Sequence, residues 1–205
     1  MSSLIKILFP VSLLFLISCS NQKEIPIAKK GIIDLVNWDI NIDGKINLNG
    51  EWEFWWEKLY VPEDFQDQDL IPDTFLYFPD YWNGIKINGK ELAAEGFATY
   101  RLKVFTNSAD HTAAIRVKNQ NTSFKLFLNN ELITENGQVG SASEESIPQY
   151  KASLVPVKLK NGKNELILQI ANFSHRKGGG GHPIILGPYQ EILSHRDMYF
   201  TLDII

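Results

Sequence analysis

Four consecutive glycines, Gly178–Gly181, lie between basic residues in the segment ANFSHRKGGGGHP. Such a segment could bind a phosphate, bind a metal ion or form a turn at the end of a strand. A phosphate-binding P-loop needs a lysine directly after its glycines and a helix behind them, whereas Lys177 precedes the glycines here. A metal site at His175 and His182 would need further ligands, and no cysteine or carboxylate is close in sequence. Two interpretations stay open: a turn at a strand end, and a rim loop whose backbone N–H groups assist in binding a ligand.

Paired carboxylates and activated nucleophiles are the other chemistry that the sequence could carry. Glu51 and Glu53 are two apart in a predicted strand, so both face one side of a sheet, which we expect to be solvent. Glu144 and Glu145 lie in a polar loop. No G-x-S-x-G motif for an activated serine occurs. We therefore expect a binding protein rather than an enzyme, without a cofactor and without a metal.

Aromatic residues are the remaining candidates for ligand contact. Trp52 and Phe54 share one strand face and are expected in the core, whereas Trp55, which alternates with glutamates, is expected to be more exposed. Trp82 follows Pro-Asp-Tyr in a loop, so both a core position and a stacking platform remain open. Arg101 is an isolated charge in an apolar strand, and such an arginine is more often paired structurally than bound to a ligand.

The elements that must position these residues are β-strands. Short runs of branched and aromatic residues alternate with polar ones and end at Asn-Gly or Gly-Lys turns, and no segment keeps an apolar period of 3.6 residues for three turns. This pattern predicts an all-β fold, a jelly-roll β-sandwich. The predicted strands are Lys45–Leu48, Glu51–Trp56, Thr99–Phe105, Ala113–Val117, Ser123–Leu128 and Glu165–Ile170.

The ends of the chain have a different composition. Residues 1–18 carry one lysine and a short apolar run, which is typical of a secretory signal peptide, and Leu-Ile-Ser-Cys ending at Cys19 fits a bacterial lipobox. We expect Cys19 to carry acyl chains; an ordinary signal with a chance cysteine is the alternative. Residues 19–32 read as a tether and 33–195 as the folded domain. Residues 196–205 are either a last strand or the approach to a missing transmembrane helix.

The chain has 205 residues and a formal net charge of −4. Without a basic stripe to neutralise phosphates, nucleic acid is not an expected partner. The sequence therefore predicts an exported protein on the periplasmic or cell-surface side of a membrane. A lipid anchor or missing transmembrane helices would hold it there.

An ordered set of short motifs resembles two known families. The motifs are GEWEFWW (50–56), FPDYWN (78–83), GFATYRLKV (96–104), FLNNELI (127–133), GKNELILQIANF (162–173) and the HRKGG that follows. They are similar to the galactose-binding-like jelly roll that forms the sugar-binding domain of glycoside hydrolase family 2. They resemble more closely the extracellular sensor domain of bacterial 7TMR-DISM receptors, over residues 33–195. Asn129-Asn130 replaces the usual Asn-Gly, which is expected to change a hairpin turn but not its strands.

The resemblance implies an extracytoplasmic sensor domain for a small ligand of carbohydrate type, without the receptor's transmembrane and output parts. The alternatives are a self-contained surface lipoprotein that binds glycan or protein, and an accessory domain of a glycoside hydrolase. The ligand would lie among rim loops, with Trp82 stacking and side chains and backbone N–H groups donating hydrogen bonds. The residues expected at this site are Trp82, Tyr100, Arg101, His175, Arg176, Gly178 and Gly179.

Overall fold

Thirteen β-strands account for nearly all the regular structure in the computed structural model, which describes residues 23–66, 70–107 and 113–194. The predicted signal peptide, Cys19 and the segment 196–205 lie outside the described residues. In chain order the strands are β1 (Ile32–Asp34), β2 (Ile46–Asn47), β3 (Gly50–Trp56), β4 (Thr74–Phe78), β5 (Lys86–Ile87), β6 (Lys90–Glu91), β7 (Gly96–Thr106), β8 (Ala113–Val117), β9 (Ser123–Leu128), β10 (Glu131–Asn136), β11 (Ser153–Pro156), β12 (Gly162–Asn172) and β13 (Ile184–Pro188).

Two sheets form the sandwich. The larger has the order β10-β9-β12-β7-β3-β4, with β1 added in parallel beside β7, and the smaller has the order β11-β8-β13-β2. Strands β5 and β6 form a separate hairpin. The crossovers between the two sheets and the mostly antiparallel pairing confirm the predicted all-β jelly-roll sandwich.

The longest pair of strands, β7 and β12, sets the frame on which the loops are mounted. They are antiparallel over their full length, from Gly96 opposite Asn172 to Thr106 opposite Gly162. Alternate residues of β7 point into the sandwich, where Tyr100 is fully buried. The loop after β12 therefore leaves the sheet at the end where β7 begins.

Aromatic rings fill the interior between the sheets. Trp52 packs on Phe78 with ring centroids 4.7 Å apart, and Phe54 meets Tyr100 edge-on at 4.9 Å. Such pairs add roughly 0.5–1.5 kcal/mol each beyond the area that they bury. The expectation that Trp52 and Phe54 are core residues is confirmed, since both are fully buried.

The hairpin between β9 and β10 contains the Asn129-Asn130 pair. Both asparagines have positive φ, 49° and 74°, which is the backbone of a type I′ turn. Asparagine tolerates this conformation better than most residues, so the strands continue on both sides of the turn without a glycine.

Helical structure and the domain's first residues complete the fold. Pro62–Phe65 form a 3₁₀ helix and residues 189–194 a helical segment. Ala28, in the predicted tether, is buried and bridges to Gly50, so the packed part of the chain begins before residue 33. Across the described ranges, none of the helical segments has the length and apolar character that crossing a membrane requires.

Candidate functional site

Two of the predicted rim loops lie against each other. The loop after β4 and the glycine loop after β12 form an isolated β-bridge between Tyr81 and Gly179. The side chain of Asn83 joins the same two loops: its Nδ2 donates to the carbonyl of Arg176 at 3.1 Å, and its Oδ1 accepts from the N–H of Gly178 at 2.9 Å. The carbonyl of Gly178 in turn accepts from the N–H of Trp82 at 2.9 Å.

The glycine loop is tightly packed rather than open. A Cβ on Gly178 would lie 2.3 Å from the indole of Trp82, and one on Gly180 would lie 2.3 Å from the ring of Phe78. These separations are far shorter than van der Waals contact, so the backbone runs directly on the aromatic core. The glycines are required because the loop lies so close to these rings.

A single methyl group at this contact should therefore be costly. We expect Gly178→Ala to lower the free energy of unfolding by about 1–3 kcal/mol, because the added Cβ overpacks the Trp82 indole. Chemical denaturation followed by circular dichroism measures this change. Gly89→Ala is a comparison that separates backbone strain from overpacking, since Gly89 has a φ of 79° and a Cβ there has no neighbour within 4 Å, whereas Gly178 is crowded but does not have positive φ. An unchanged unfolding midpoint in Gly178→Ala would contradict the close approach.

Asn172 braces the start of the glycine loop. It is fully buried, its Oδ1 accepts from the N–H of His175 at 2.8 Å, and its Nδ2 donates to the carbonyls of His175 at 2.7 Å and Ala94 at 2.8 Å. The His175 ring turns back on its own loop, where its Nδ1 is 3.2 Å from the N–H of Lys177. His175, expected as a ligand donor, is thus engaged in holding the loop.

An open groove of about 670 Å³ lies between the two loops. Its aromatic surface is Tyr81, and the Lys177 ammonium stands 4.5 Å from the centre of that ring. Arg176 and Lys177 are exposed, and neither forms an ion pair with a carboxylate of the described ranges. The residues that line the groove are Asp80, Tyr81, Asn83, Ile85, Arg176 and Lys177.

This arrangement combines hydrogen-bond donors, acceptors and a flat ring. Arg176 and Lys177 can donate to oxygen atoms, Asp80 can accept from hydroxyl groups, and Tyr81 offers a flat ring. The loops selected from the sequence line this groove, but the aromatic residue in its lining is Tyr81, whereas Trp82 is buried. Tyr81, Asn83 and Lys177 were missed, although Tyr81 and Lys177 directly adjoin the residues that were named.

Trp82 and Tyr100 are not available to a ligand, so the expectation that Trp82 forms a stacking platform is wrong. Both side chains are fully buried. The Trp82 indole packs against Trp56 with centroids 5.2 Å apart and donates its N–H to the carbonyl of Ala94 at 3.1 Å. Burial strongly raises the pKa of Tyr100, and the nearby Gly180 backbone only partly offsets this effect. Both aromatic side chains pack beneath the glycine loop, on its core side.

Arg101 is a structural arginine, and its expected contact with a ligand is not supported. Its Nε pairs with Glu53, whose other oxygen accepts from Lys103 at 3.1 Å, and its guanidinium lies 4.2 Å from the ring of Phe65. Glu53 and Trp55 were both expected to face solvent and are both buried. The loop after β3 covers this outer face of the large sheet, which is why alternation alone predicted the wrong environment.

A metal site at the flanking histidines finds no support in the described ranges. No group of three or more His, Cys, Asp or Glu residues there is arranged to hold a metal ion. The backbone of His182 instead pairs with the Gln120 side chain. Burial and, to a smaller extent, the charge of Lys118 lower the pKa of the His182 imidazole.

A second groove of about 670 Å³ lies at the opposite end of β12, between the β9–β10 hairpin and residues 156–161.

Comparison with known proteins finds structural neighbours but no relatives by sequence. No protein-family model matches the chain, and no curated protein matches it either. Among solved structures, it is similar to a β-glucuronidase from Ruminococcus gnavus (11% identity, TM-score 0.53), covering 70% of this chain and 29% of that one. It is also similar to a β-glucuronidase from an uncultured Clostridium, with 16% identity and a TM-score of 0.50. That match covers 69% of this chain and 28% of the enzyme.

A third match, β-glucuronidase 2 from Bacteroides uniformis, is 15% identical with a TM-score of 0.50, and 69% of this chain covers 17% of it. The chain thus spans less than a third of these enzymes. At such low identity the comparison shows the fold alone, an all-β jelly roll of galactose-binding-like type.

Proposed function

We propose that this protein is an extracytoplasmic saccharide-binding domain, the input domain of a membrane signalling receptor of the 7TMR-DISM type. It binds its ligand without catalysis and without a cofactor. The observation that carries the proposal is the groove between the loop 79–85 and the glycine loop. An aromatic ring meets two cations there, and neither cation has an ion-pair partner in the described ranges. The resemblance to sugar-binding jelly rolls supports a carbohydrate as the ligand class.

The groove's chemistry suits a sugar ring that carries several oxygens. The C–H face of a sugar packs on a flat aromatic surface such as Tyr81, and Arg176 and Lys177 donate charge-assisted hydrogen bonds to hydroxyl or carboxylate oxygens. Asp80 accepts from sugar hydroxyls. The loops beneath are held by buried side chains, so little conformational entropy is lost when the ligand binds.

Anchoring on the membrane belongs to the same proposal. Cys19 carries the acyl chains, or transmembrane helices beyond this chain hold the domain at the membrane. A domain at the surface would pass its binding signal to the segment after Gly187, which couples it to the membrane.

Two other functions remain compatible with the fold. An accessory domain of a glycoside hydrolase is favoured by the similarity to β-glucuronidases, of which this chain covers less than a third. A self-contained surface lipoprotein is favoured by the lipobox, because acylation is superfluous for a receptor with several transmembrane helices. The hydrolase domain would use the same groove for a saccharide and the lipoprotein would bind glycan or protein, but only the receptor needs an output domain.

The binding proposal is tested by a glycan array followed by calorimetry on the saccharide that binds most strongly. We expect Arg176→Ala and Lys177→Ala each to weaken binding about tenfold or more, because a hydrogen bond to a charged group contributes about 1.5–3 kcal/mol. Lys163→Ala, which removes an exposed lysine from the far end of β12, is the matched control. Equal affinities in all three variants would exclude the groove as the binding site.

A further inference from the structure

Exposed aliphatic side chains are concentrated near the first described residues. Five of the twelve large hydrophobic side chains that stand exposed in the described ranges fall between residues 25 and 42. Ile25 is 64% exposed and Ile27 is 53% exposed. Four of the five define what we call the isoleucine face: Ile25, Ile27, Ile32 and Val36. A cluster of this kind on a protein surface marks an interaction site more often than scattered single residues do.

Three members of the isoleucine face line a groove that the N-terminal segment and β1 form together. Ile25, Ile27 and Ile32 line this groove of about 560 Å³. The exposed lysines Lys29 and Lys30 lie in the same segment. Lys29 lines the groove together with the carboxylates of Glu24 and Asp34, so the charge around it is mixed. The exposed aliphatic side chains are what suits the boundary between the headgroups and acyl chains of a bilayer.

The two ends of the described chain meet beside this face. Lys23 forms an ion pair with Asp43. Two residues further along the same loop, the N–H of Lys45 donates to Glu191 at 3.1 Å and its ammonium lies 3.2 Å from the other oxygen of that carboxylate. An anchor before Lys23 and an anchor after the helical segment 189–194 would therefore both draw this end of the domain toward the membrane.

The glycine-loop side of the candidate saccharide groove lies away from this end, whereas its other loop begins after Phe78, which faces Gly50, the residue that Ala28 bridges. β1 pairs with Lys103–Phe105 of β7, whereas the glycine loop leaves β12 opposite Gly96 at the start of β7. Lys103 follows Gly96 by seven positions along β7, so their Cα atoms are about 23 Å apart. A domain resting on the isoleucine face would leave the glycine-loop side of that groove open to solvent.

We propose that the isoleucine face docks on the surface of the phospholipid bilayer. This inference rests on the membrane anchoring that forms part of the proposed function. Only three residues lie between Cys19 and Lys23, and four residue steps of extended chain span at most about 14 Å. An acylated Cys19 therefore holds the face within reach of the lipid headgroups, and docking fixes the orientation that the tether alone would leave free.

The test uses the full chain, produced in a bacterium that acylates lipoproteins and reconstituted into vesicles of phosphatidylethanolamine and phosphatidylglycerol. Cys19 is the single cysteine, so when it is acylated Ile27→Cys provides the only free thiol for an environment-sensitive NBD label. Glu144→Cys, in an exposed loop, is the matched control. We expect lipids with doxyl groups near the headgroup to quench about half of the emission at position 27 and almost none at 144, because interfacial side chains enter about 5–10 Å.

A second pair of variants excludes an effect of the label itself. With the label at Val36→Cys, we expect Ile25→Asp combined with Ile27→Asp to abolish quenching, whereas Ile147→Asp, another exposed isoleucine, retains it. Weak quenching at both 27 and 144 in vesicle-bound protein would overturn docking but leave the anchor intact. Two labels per chain, or protein that does not pellet with the vesicles, would overturn docking and acylation together. None of these outcomes alters the saccharide measurement.

Discussion

Replacing Trp82 by alanine is expected to destabilise the protein by about 3–5 kcal/mol, because truncating a fully buried aromatic residue leaves a cavity. The indole contacts Trp56 and Phe54, and its N–H bonds to the carbonyl of Ala94. It is also the surface on which Gly178 lies. Denaturant titration monitored by circular dichroism gives the free energy of unfolding directly.

Tyr81→Ala is the matched control, one residue earlier in the same loop. Its ring lies in the groove and is only partly buried, so we expect a loss of stability below about 1 kcal/mol and weaker saccharide binding. Trp82→Ala should therefore lower mainly the stability of the protein, and Tyr81→Ala mainly its affinity for the saccharide. A Trp82→Ala variant with native stability and no saccharide binding would restore Trp82 as a platform and contradict the structure.

Removing Arg101 should be comparably damaging. We expect Arg101→Ala to cost about 3–5 kcal/mol, because Glu53 would then be a buried charge that has lost its closest partner. Both side chains of this pair are only 8% exposed. The free energy of unfolding and the affinity for a saccharide are measured on the same preparation, and only the first should change.

A double variant identifies the physical origin of the loss. Arg101→Met combined with Glu53→Leu removes both charges and keeps apolar volume, and replacements of this kind are often close to neutral. We expect it to be markedly more stable than Arg101→Ala, which a double-mutant cycle quantifies. If Arg101→Ala instead kept full stability and lost binding, Arg101 would be a ligand contact after all.

The strands could be predicted from the sequence because the pattern that specifies them is local. Ala113–Val117 and Ser123–Leu128 have the predicted bounds. β7 and β12 extend beyond their predictions at both ends. Alternation of apolar and polar residues reports which face is buried when one sheet face meets solvent, and this held for Trp52 and Phe54.

Burial in the loops could not be predicted in the same way. Trp82 and Tyr81 are adjacent in a turn without alternation, so nothing in the local pattern tells which of them points inward. The contact that decides it, the approach of Gly178 to the Trp82 indole, joins residues almost a hundred positions apart. The run of four glycines was the only local sign that backbone would lie close to something bulky.

The buried ion pair was missed for a related reason. Glu53 and Arg101 are separated by 48 residues and face each other only through the register between β3 and β7. The outer face of the sheet was expected to be solvated, but Tyr60 and Phe65 of the loop after β3 pack on Trp55 there. Because a loop covers this sheet face, the alternation of Trp55 with glutamates did not indicate that its side chain is exposed.

The groove between the loop 79–85 and the glycine loop is the central claim, and backbone amide NMR with the best saccharide from the array tests it most directly. We expect shifts to concentrate at the amides of Tyr81, Asn83, Lys177 and Gly179, with little change near Leu128 and Val157 in the second groove. Shifts centred on that second groove, with the amides of the glycine loop unmoved, would contradict the account.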